Sequence, residues 1–216
     1  MKKYYIGIFV IIFGGILFAF SQFYSKNNNQ DIYATLSSSG TLTISSNEIK
    51  NNQKNKIITN YGKIDLNQFF PNWNKNAKDI KKVFIVDDIY PTSCYQWFYD
   101  CENLIEIKNI DKLHTNKCTD IERMFYNCKK IKYLNLSNFD ISKCERIGEM
   151  FANCENLQEL NLTSFDTKNI KDMRYIFENC RNLKEIKVSK KWKLDGIKKD
   201  GMFNNCKTNK FIIIEK

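Results

Sequence analysis

Residues 151–165 read FANCENLQELNLTSF, and this stretch decides the fold of the chain. Its apolar residues and one cysteine stand at fixed intervals: Phe151, Cys154, Leu157, Leu160, Leu162 and Phe165. The same pattern begins at Phe125 and at Phe177, and weaker copies begin at Phe98 and at Phe203. The steps between these phenylalanines are 27, 26, 26 and 26 residues. A constant period of this length is typical of a solenoid, in which each repeat buries its apolar face against its neighbours.

Each repeat is predicted to contain a short helix, a turn and a strand. Apolar residues lie seven, four and one positions before the phenylalanine, and these spacings place them on one face of a helix. After the turn, the alternation Leu160-Asn161-Leu162 predicts a strand with one buried side. In the last repeat, Ile212 and Ile214 take the buried strand positions. The sequence therefore predicts an α/β solenoid with one short helix and one parallel strand in each repeat of about 26 residues.

One asparagine recurs directly before the cysteine in four repeats: Asn127, Asn153, Asn179 and Asn205. Asparagine is the residue after glycine that best tolerates the left-handed conformation at the end of a helix. The pattern therefore predicts a left-handed turn at each of these positions. The alternative is a solvated loop residue that reflects composition alone.

The first 32 residues indicate export. Lys2 and Lys3 precede an apolar run from Tyr4 to Phe20, which is typical of a signal peptide, here cleaved after Ser21. An uncleaved membrane anchor is the alternative, because the run approaches the length that spans a bilayer. Residues 1–21 are therefore a signal peptide or an N-terminal anchor, and residues 22–32 are a polar linker.

Residues 33–89 are predicted to cap the solenoid, and residues 90–216 to form its five repeats. Within the cap, residues 41–44 and 56–59 are rich in β-branched side chains and predict two strands. Residues 80–85 repeat the apolar spacing of the later strands and predict a first rung. An atypical end unit is expected because a solenoid end exposes its core and an unpaired strand edge.

Composition and motifs argue against catalysis and nucleic-acid binding. The net charge is +10, but only four residues are arginines, whereas nucleic-acid surfaces depend on arginine for bidentate contacts. His114 is the only histidine and is predicted to lie in a surface loop. We find no combination of nucleophile and base and no glycine-rich phosphate loop. The sequence therefore predicts a protein that is not an enzyme and has no cofactor and no metal.

Five cysteines occupy one repeat position: Cys101, Cys128, Cys154, Cys180 and Cys206. We interpret this column as small buried thiols, because no Cys-x-x-Cys pair indicates zinc. The alternative for this column is a ladder of disulfides, as in many exported proteins, or of metal sites. Outside the column, a bridge between Cys118 and Cys144 is the most favoured exception to free thiols.

The repeat resembles the leucine-rich repeats of BspA-like bacterial surface proteins. It is more similar to their longer-period relatives, first described as a mycoplasma-type domain of unknown function. Units such as LNLSNFDISKCERIGEMFANCENLQELNL, residues 134–162, carry the resemblance, which covers about residues 40–214. Cys118 and Cys144 depart from it, since the family usually has valine there, and Gly196 and Lys199 replace apolar residues in the last repeat. The resemblance implies a right-handed leucine-rich-repeat-type solenoid on a surface-exposed or secreted protein, in a family of which several members act as adhesins or host-interaction proteins.

The predicted strands would display outward side chains in columns across neighbouring repeats, which we take as the partner-binding concave face: Glu106, Lys108, Tyr133, Asn135, Glu159, Asn161, Glu185 and Lys187. The expected partner is a protein or glycan on a host or neighbouring cell, with membrane contact only through the N-terminal segment. The resulting hypothesis is a surface interaction or adhesion module. The alternative is a structural envelope protein held by an uncleaved anchor.

Overall fold

The computed structural model describes residues 31–50, 56–64 and 71–214. The predicted signal or anchor segment and nearly all of the linker lie outside these residues. Within them the chain forms nine strands: β1 Tyr33–Ser37, β2 Thr41–Ser45, β3 Ile57–Lys63, β4 Lys82–Ile85, β5 Glu106–Lys108, β6 Tyr133–Asn135, β7 Glu159–Leu162, β8 Glu185–Val188 and β9 Ile212–Ile213. The described helices are short 3₁₀ segments at Asn72–Asp79, Ile110–Lys112 and Thr167–Asn169. None of them is long and apolar enough to cross a membrane.

The first sheet has the strand order β3-β1-β2-β4-β5. Strand β1 is antiparallel to both β2 and β3, whereas β4 is parallel to β2 and to β5. The strands predicted at 41–44, 56–59 and 80–85 are confirmed as β2, β3 and β4. Strand β1 was not predicted from the sequence. It turns the N-terminal region into a small antiparallel unit that joins the first parallel rung.

The second sheet is parallel throughout, with the order β6-β7-β8-β9. From β6 to β8 the register follows the sequence period, so that Leu134, Leu160 and Ile186 are partners on the inner side. The predicted stacking of one strand per repeat is therefore confirmed for these rungs. The chain is a parallel β-solenoid with a mixed N-terminal sheet.

The last strand departs from the predicted register by one residue. Ile212 pairs with Lys187, and Ile213 pairs with Val188. A shift of one residue exchanges the two faces of a strand. The prediction that Ile212 and Ile214 occupy the buried positions was therefore wrong, and Ile213 takes the inner position instead.

The two sheets are not joined through β5 and β6. The 27-residue step places one extra residue between β5 and the next turn segment. Asn109 adopts a left-handed conformation at φ 57°, and the 3₁₀ helix Ile110–Lys112 follows it directly. The strand side of the solenoid is thus interrupted at the irregular step.

The five phenylalanines stack along one axis through the core. Their ring centroids are separated by 5.5 Å (Phe98 to Phe125), 5.9 Å (Phe125 to Phe151), 5.9 Å (Phe151 to Phe177) and 5.6 Å (Phe177 to Phe203). The first four rings are fully buried, together with most of the leucine and isoleucine columns on either side. The common axis predicted from the 26-residue period is confirmed.

The prediction of a short helix in each repeat was wrong. The segments before and after each phenylalanine form successive turns, and they bond to the next rung instead of along a helix axis. The N–H groups of Arg123, Phe125 and Asn127 donate to the carbonyl oxygens of Gly148, Met150 and Ala152 in the following repeat. The residues between them close turns, as when the N–H of Met124 donates to the carbonyl of Ile121.

The turns replace the helix because the backbone is left-handed at two positions in each repeat. One is the predicted asparagine, with φ 61° at Asn127 and Asn153, 57° at Asn179 and 52° at Asn205. The other lies two residues before the phenylalanine, at Arg123, Glu149, Tyr175 and Gly201. Left-handed residues every four positions break the helical ladder, while the apolar residues at intervals of three still face inward. The left-handed asparagines are confirmed, although they end no helix.

Substitutions at Asn153 test this conformation. Its Oδ1 accepts a bond of 2.8 Å from Nδ2 of Asn179, and both Asn153→Gly and Asn153→Val lose that bond. Only valine adds the steric cost of a left-handed branched residue, so Asn153→Val is expected to lose about 1–2 kcal/mol more unfolding free energy than Asn153→Gly. Urea denaturation of both variants measures the difference. Equal losses would contradict a left-handed backbone at this position.

Candidate binding face

Two rows of outward side chains cross strands β6 to β8. Tyr133, Glu159 and Glu185 are register partners in one row. Asn135, Asn161 and Lys187 are partners in the next row, two residues further along each strand. Because side chains alternate across a strand, both rows lie on the side opposite the leucine column. The structure therefore brings together six of the eight residues predicted from the sequence.

The six side chains differ in how freely they are presented. Tyr133 is 63% exposed, and its hydroxyl reaches Oε1 of Gln158 at 3.3 Å. Oδ1 of Asn161 accepts bonds from the N–H and the hydroxyl of Thr163, at 3.1 and 2.7 Å, so this asparagine is held by its own turn. Nζ of Lys187 lies 3.4 Å from the carboxylate of Glu185. Tyr133 is the most accessible apolar surface on this face.

Glu106 and Lys108 lie in the other sheet. They lie on β5 in the first sheet, where Glu106 pairs with Lys82 and Lys108 pairs with Phe84. Nζ of Lys82 approaches the carboxylate of Glu106 at 3.7 Å. The eight predicted residues are therefore distributed over two sheets. The irregular step after β5 separates them.

The sequence did not reveal that Ile212 extends the row of Asn135, Asn161 and Lys187. It pairs with Lys187 and is 42% exposed. The signal was hidden because the last strand is shifted by one residue, and the period alone assigns Ile212 to the core. The polar rows thus end at an apolar side chain on the last rung.

The cysteine column is part of the core. Cys101, Cys128, Cys154 and Cys180 are buried, whereas Cys206 in the last rung is half-buried. The thiol of Cys154 donates to the carbonyl oxygen of Phe125 in the preceding repeat at 3.1 Å, and that of Cys180 donates to Phe151 at 3.1 Å. Burial raises the pKa of Cys154 to about 12. The described residues contain no group of three or more histidine, cysteine or acidic side chains that could hold a metal ion.

A bridge between Cys118 and Cys144 is not present, and all eight cysteines are free thiols. The thiol of Cys144 donates to the carbonyl oxygen of Cys118 at 3.2 Å. The sulfur of Cys118 lies 3.6 Å from that of Cys94. The thiols of Cys118 and Cys144, which the disulfide hypothesis joined in a bridge, thus donate to backbone carbonyl oxygens instead.

His114 lies near the surface, as predicted. Its ring stacks on Tyr90, with centroids 4.5 Å apart, and Nε2 lies 2.7 Å from the carboxylate of Asp88. Lys117 approaches the Tyr90 ring at 5.6 Å. This cluster ties the first two rungs together.

A column of charges with alternating sign runs along the turn side of the solenoid. Asp120, Arg146, Asp172 and Lys198 are consecutive partners in isolated parallel bridges. Arg146 forms an ion pair with Asp120, while Arg123 reaches the carboxylate of Glu149 at 2.7 Å. This pattern is visible in the sequence, because acidic and basic residues alternate at one position of successive repeats. Opposite charges on neighbouring rungs favour the observed register.

Comparison with protein families matches residues 92–214 to the family described as "Mycoplasma protein of unknown function, DUF285". These residues make up more than half of the chain and include both rows of the candidate face. The chain belongs to this family. The DUF285 region begins at the first turn segment and ends at β9, so it contains the phenylalanine stack and the second sheet. No curated protein and no solved structure matched the chain.

Proposed function

We propose that this DUF285 protein is an exported interaction or adhesion module that binds a protein or glycan through the strand face of its solenoid. The in-register rows on β6 to β8 are the observation that carries the proposal. They present tyrosine, carboxylate, amide and lysine groups on a rigid parallel sheet. Such a surface suits recognition of another molecule by hydrogen bonds and stacking.

The finer assignments belong to the same proposal. The leucine-rich-repeat type, its right-handed turn and the likeness to BspA-like surface proteins are supported by the leucine spacing of each repeat. Export is supported by the charge and hydropathy pattern of residues 1–21. We place the module at the cell surface or in secreted form.

The size of the face predicts weak binding by a single copy. Four strands spaced about 4.8 Å apart give a surface roughly 15 Å wide. The area of such a narrow surface is well below the ~800 Å² that each partner contributes to a standard protein interface. Strong attachment would therefore require many copies on one surface, because multivalent binding raises the overall affinity.

Capture of binding partners from host matrix and envelope extracts tests the face. The test variant combines Tyr133→Ala, Glu159→Ala and Glu185→Ala. The control variant combines Tyr175→Ala, Glu145→Ala and Glu155→Ala, which are the same types of substitution at positions outside the strands. We expect the first variant to lose capture and the control to retain it. Equal capture by both variants would exclude this face as the contact surface.

The position of the mature protein is tested separately. Mass spectrometry of the N-terminus and protease treatment of intact cells are expected to show a chain that begins at Gln22 and is accessible from outside. A chain that retains residues 1–21 and resists the protease would favour the structural envelope protein over the adhesion module.

A further inference from the structure

The two ends of the solenoid differ in how their backbone groups are satisfied. At the N-terminal end, side chains of the 3₁₀ helix Asn72–Asp79 cover the first turn segment. Nε1 of Trp73 donates to the carbonyl oxygen of Trp97 at 2.6 Å, and Nδ2 of Asn74 donates to that of Gln96 at 2.9 Å. Trp73 is fully buried in an edge-to-face contact with Trp97. This end is closed.

At the C-terminal end of the described residues, a row of N–H donors is open. In each earlier rung, alternate N–H groups donate to the following rung, as Tyr175, Phe177 and Asn179 do to Asp200, Met202 and Asn204. The equivalent donors of the last rung are the N–H groups of Gly201, Phe203 and Asn205. Within the described residues these three N–H groups have no acceptor. The turn bonds of this rung are still formed, because the N–H of Asn204 donates to Gly201.

The strand side of this end is also open. The N–H of Ile214 donates to Val188 on β8 at 2.8 Å. Because backbone groups alternate in direction along a strand, the N–H of Ile213 points away from β8 toward the free edge. Ile213 holds an inner register position but is 61% exposed, since no further rung covers it within the described residues.

Apolar surface accompanies the open donors. Phe203 ends the aromatic stack, with one side on Phe177 and the tilted ring of Phe211 beside it at 5.5 Å. Phe203, Phe211 and Cys206 are only half-buried, unlike their counterparts in the inner rungs. Two open depressions lie here, one of them lined by Leu194, Lys199, Gly201, Met202, Phe203 and Asn204.

The charge of the last rung identifies the kind of partner. Residues 189–214 contain seven lysines and two aspartates, a net charge of +5. Residues 137–162, the central rung, contain one lysine, one arginine and five acidic residues, a net charge of −3. The positive charge is thus concentrated at the open end, and a partner that docks there should be acidic.

We propose that the open C-terminal end binds an extended, acidic segment of a partner protein as an added rung. Carbonyl oxygens of the segment accept from the N–H row and from the β9 edge, in the manner of strand addition. An apolar side chain of the segment covers Phe203 and Ile213, while its carboxylates face the lysines of the last rung. Since Lys207 and Lys210 lack the planar fork of arginine, the site favours carboxylate-bearing peptides over stacked nucleobases.

A second copy of this chain does not supply that segment by simple head-to-tail stacking. The carbonyl oxygen of Trp97, which holds the position that Met202 has in the last rung and would face the N–H row, is already occupied by Nε1 of Trp73. The proposal is also independent of the strand face, since it uses the end of the solenoid instead of the rows on β6 to β8.

The test uses the full chain and a short fluorescein-labelled peptide in which glutamates alternate with leucine and phenylalanine. Fluorescence anisotropy at low and physiological salt measures its Kd. Polyglutamate of equal charge, single-stranded DNA and phosphatidylglycerol vesicles serve as comparison probes. We expect the alternating peptide to bind most tightly and its affinity to fall as salt increases.

Three variants locate the site. Lys207→Glu/Lys210→Glu is expected to weaken peptide binding about tenfold, because two attractive contacts become repulsive. Ile213→Pro removes the N–H at the free edge and should weaken binding by a similar factor, with thermal unfolding confirming that it is folded. The control Lys132→Glu/Lys143→Glu makes the same charge change on distant rungs and should leave the Kd within about twofold of the wild-type value.

Several results would overturn the proposal. Absence of peptide binding, or equal weakening by both lysine pairs, would show that the last rung is not a specific site. Equal binding of polyglutamate, or no effect of Ile213→Pro, would show attraction by charge without strand addition. Tighter binding of DNA or vesicles would assign the end to a different class of ligand. Loss of binding in the Tyr133/Glu159/Glu185 variant would place the peptide on the strand face instead.

Discussion

Replacing Phe151 with alanine is expected to lower the free energy of unfolding by about 3–5 kcal/mol. Phe151 is 0% exposed, and its ring lies between those of Phe125 and Phe177, 5.9 Å from each. The neighbouring rungs are fixed by hydrogen bonds on both sides, so they cannot collapse fully into the space that the ring leaves. Removal of the ring therefore costs its transfer free energy and the free energy of the remaining cavity.

The matched control is Phe203→Ala, at the end of the same stack. Phe203 is half-buried and, among the described residues, stacks on Phe177 on one side only, so its loss should cost only about 1–2 kcal/mol. Urea denaturation of the two variants and the wild type gives both values. A loss below about 1 kcal/mol at Phe151 would show that the phenylalanine column is not the core.

Raising the pH above 9 in a reducing buffer is expected to destabilise the folded chain steeply. Burial raises the pKa of Cys144 and of Cys154 to about 12, whereas an unfolded thiol ionises near its ordinary value. Between these two values the folded state holds more protons than the unfolded state, so stability falls as the pH increases. Each such thiol contributes a loss of about 1.4 kcal/mol per pH unit in this range.

The variant Cys154→Ala separates this effect from the ionisation of lysine and tyrosine. The substitution lowers stability by a constant amount but removes one titrating group. Above pH 9 its unfolding free energy should fall less steeply than that of the wild type, by about 1.4 kcal/mol per pH unit. Urea denaturation from pH 8 to 10.5 measures both slopes. Parallel curves would show that Cys154 is not buried as a protonated thiol.

The apolar column was predictable because the period is written directly in the chain. Phe125, Phe151 and Phe177 recur at one spacing, and only stacked rungs bury all of them together. The same holds for the partnership of Leu134, Leu160 and Ile186. The left-handed asparagines were predictable as well, since few other residues adopt that conformation.

The helix was wrongly predicted because spacing alone does not separate a helix from a series of turns. Ile121, Met124 and Phe125 fit one face of a helix. They also fit consecutive turns in which every third side chain points into the core. The decision lies in the N–H groups of Arg123 and Phe125, which bond to the next rung. That bond joins residues 25 positions apart, so no local pattern reports it.

The candidate face was predicted only in part for a related reason. The sequence correctly aligned Tyr133 with Glu159 and Glu185, but it also included Glu106, which belongs to another sheet. One extra residue after β5 interrupts the strand pairing, and a shift of one residue at β9 exchanges the two faces of the last strand. Both the interrupted pairing and the shifted register depend on how each rung packs against the next one in the folded chain.

By itself, the sequence determined that this chain is a solenoid, most of the residues in its inner columns and the asparagines at which the backbone is left-handed. These features repeat at a fixed period, and each repeat meets the same neighbours. Only the tertiary structure decided that turns replace helices, that the strand pairing is interrupted after β5, and that Trp73 covers Trp97 at one end while the N–H groups of Gly201 and Phe203 have no acceptor among the described residues. Those features depend on hydrogen bonds between distant residues, and such bonds form only after the rungs have stacked.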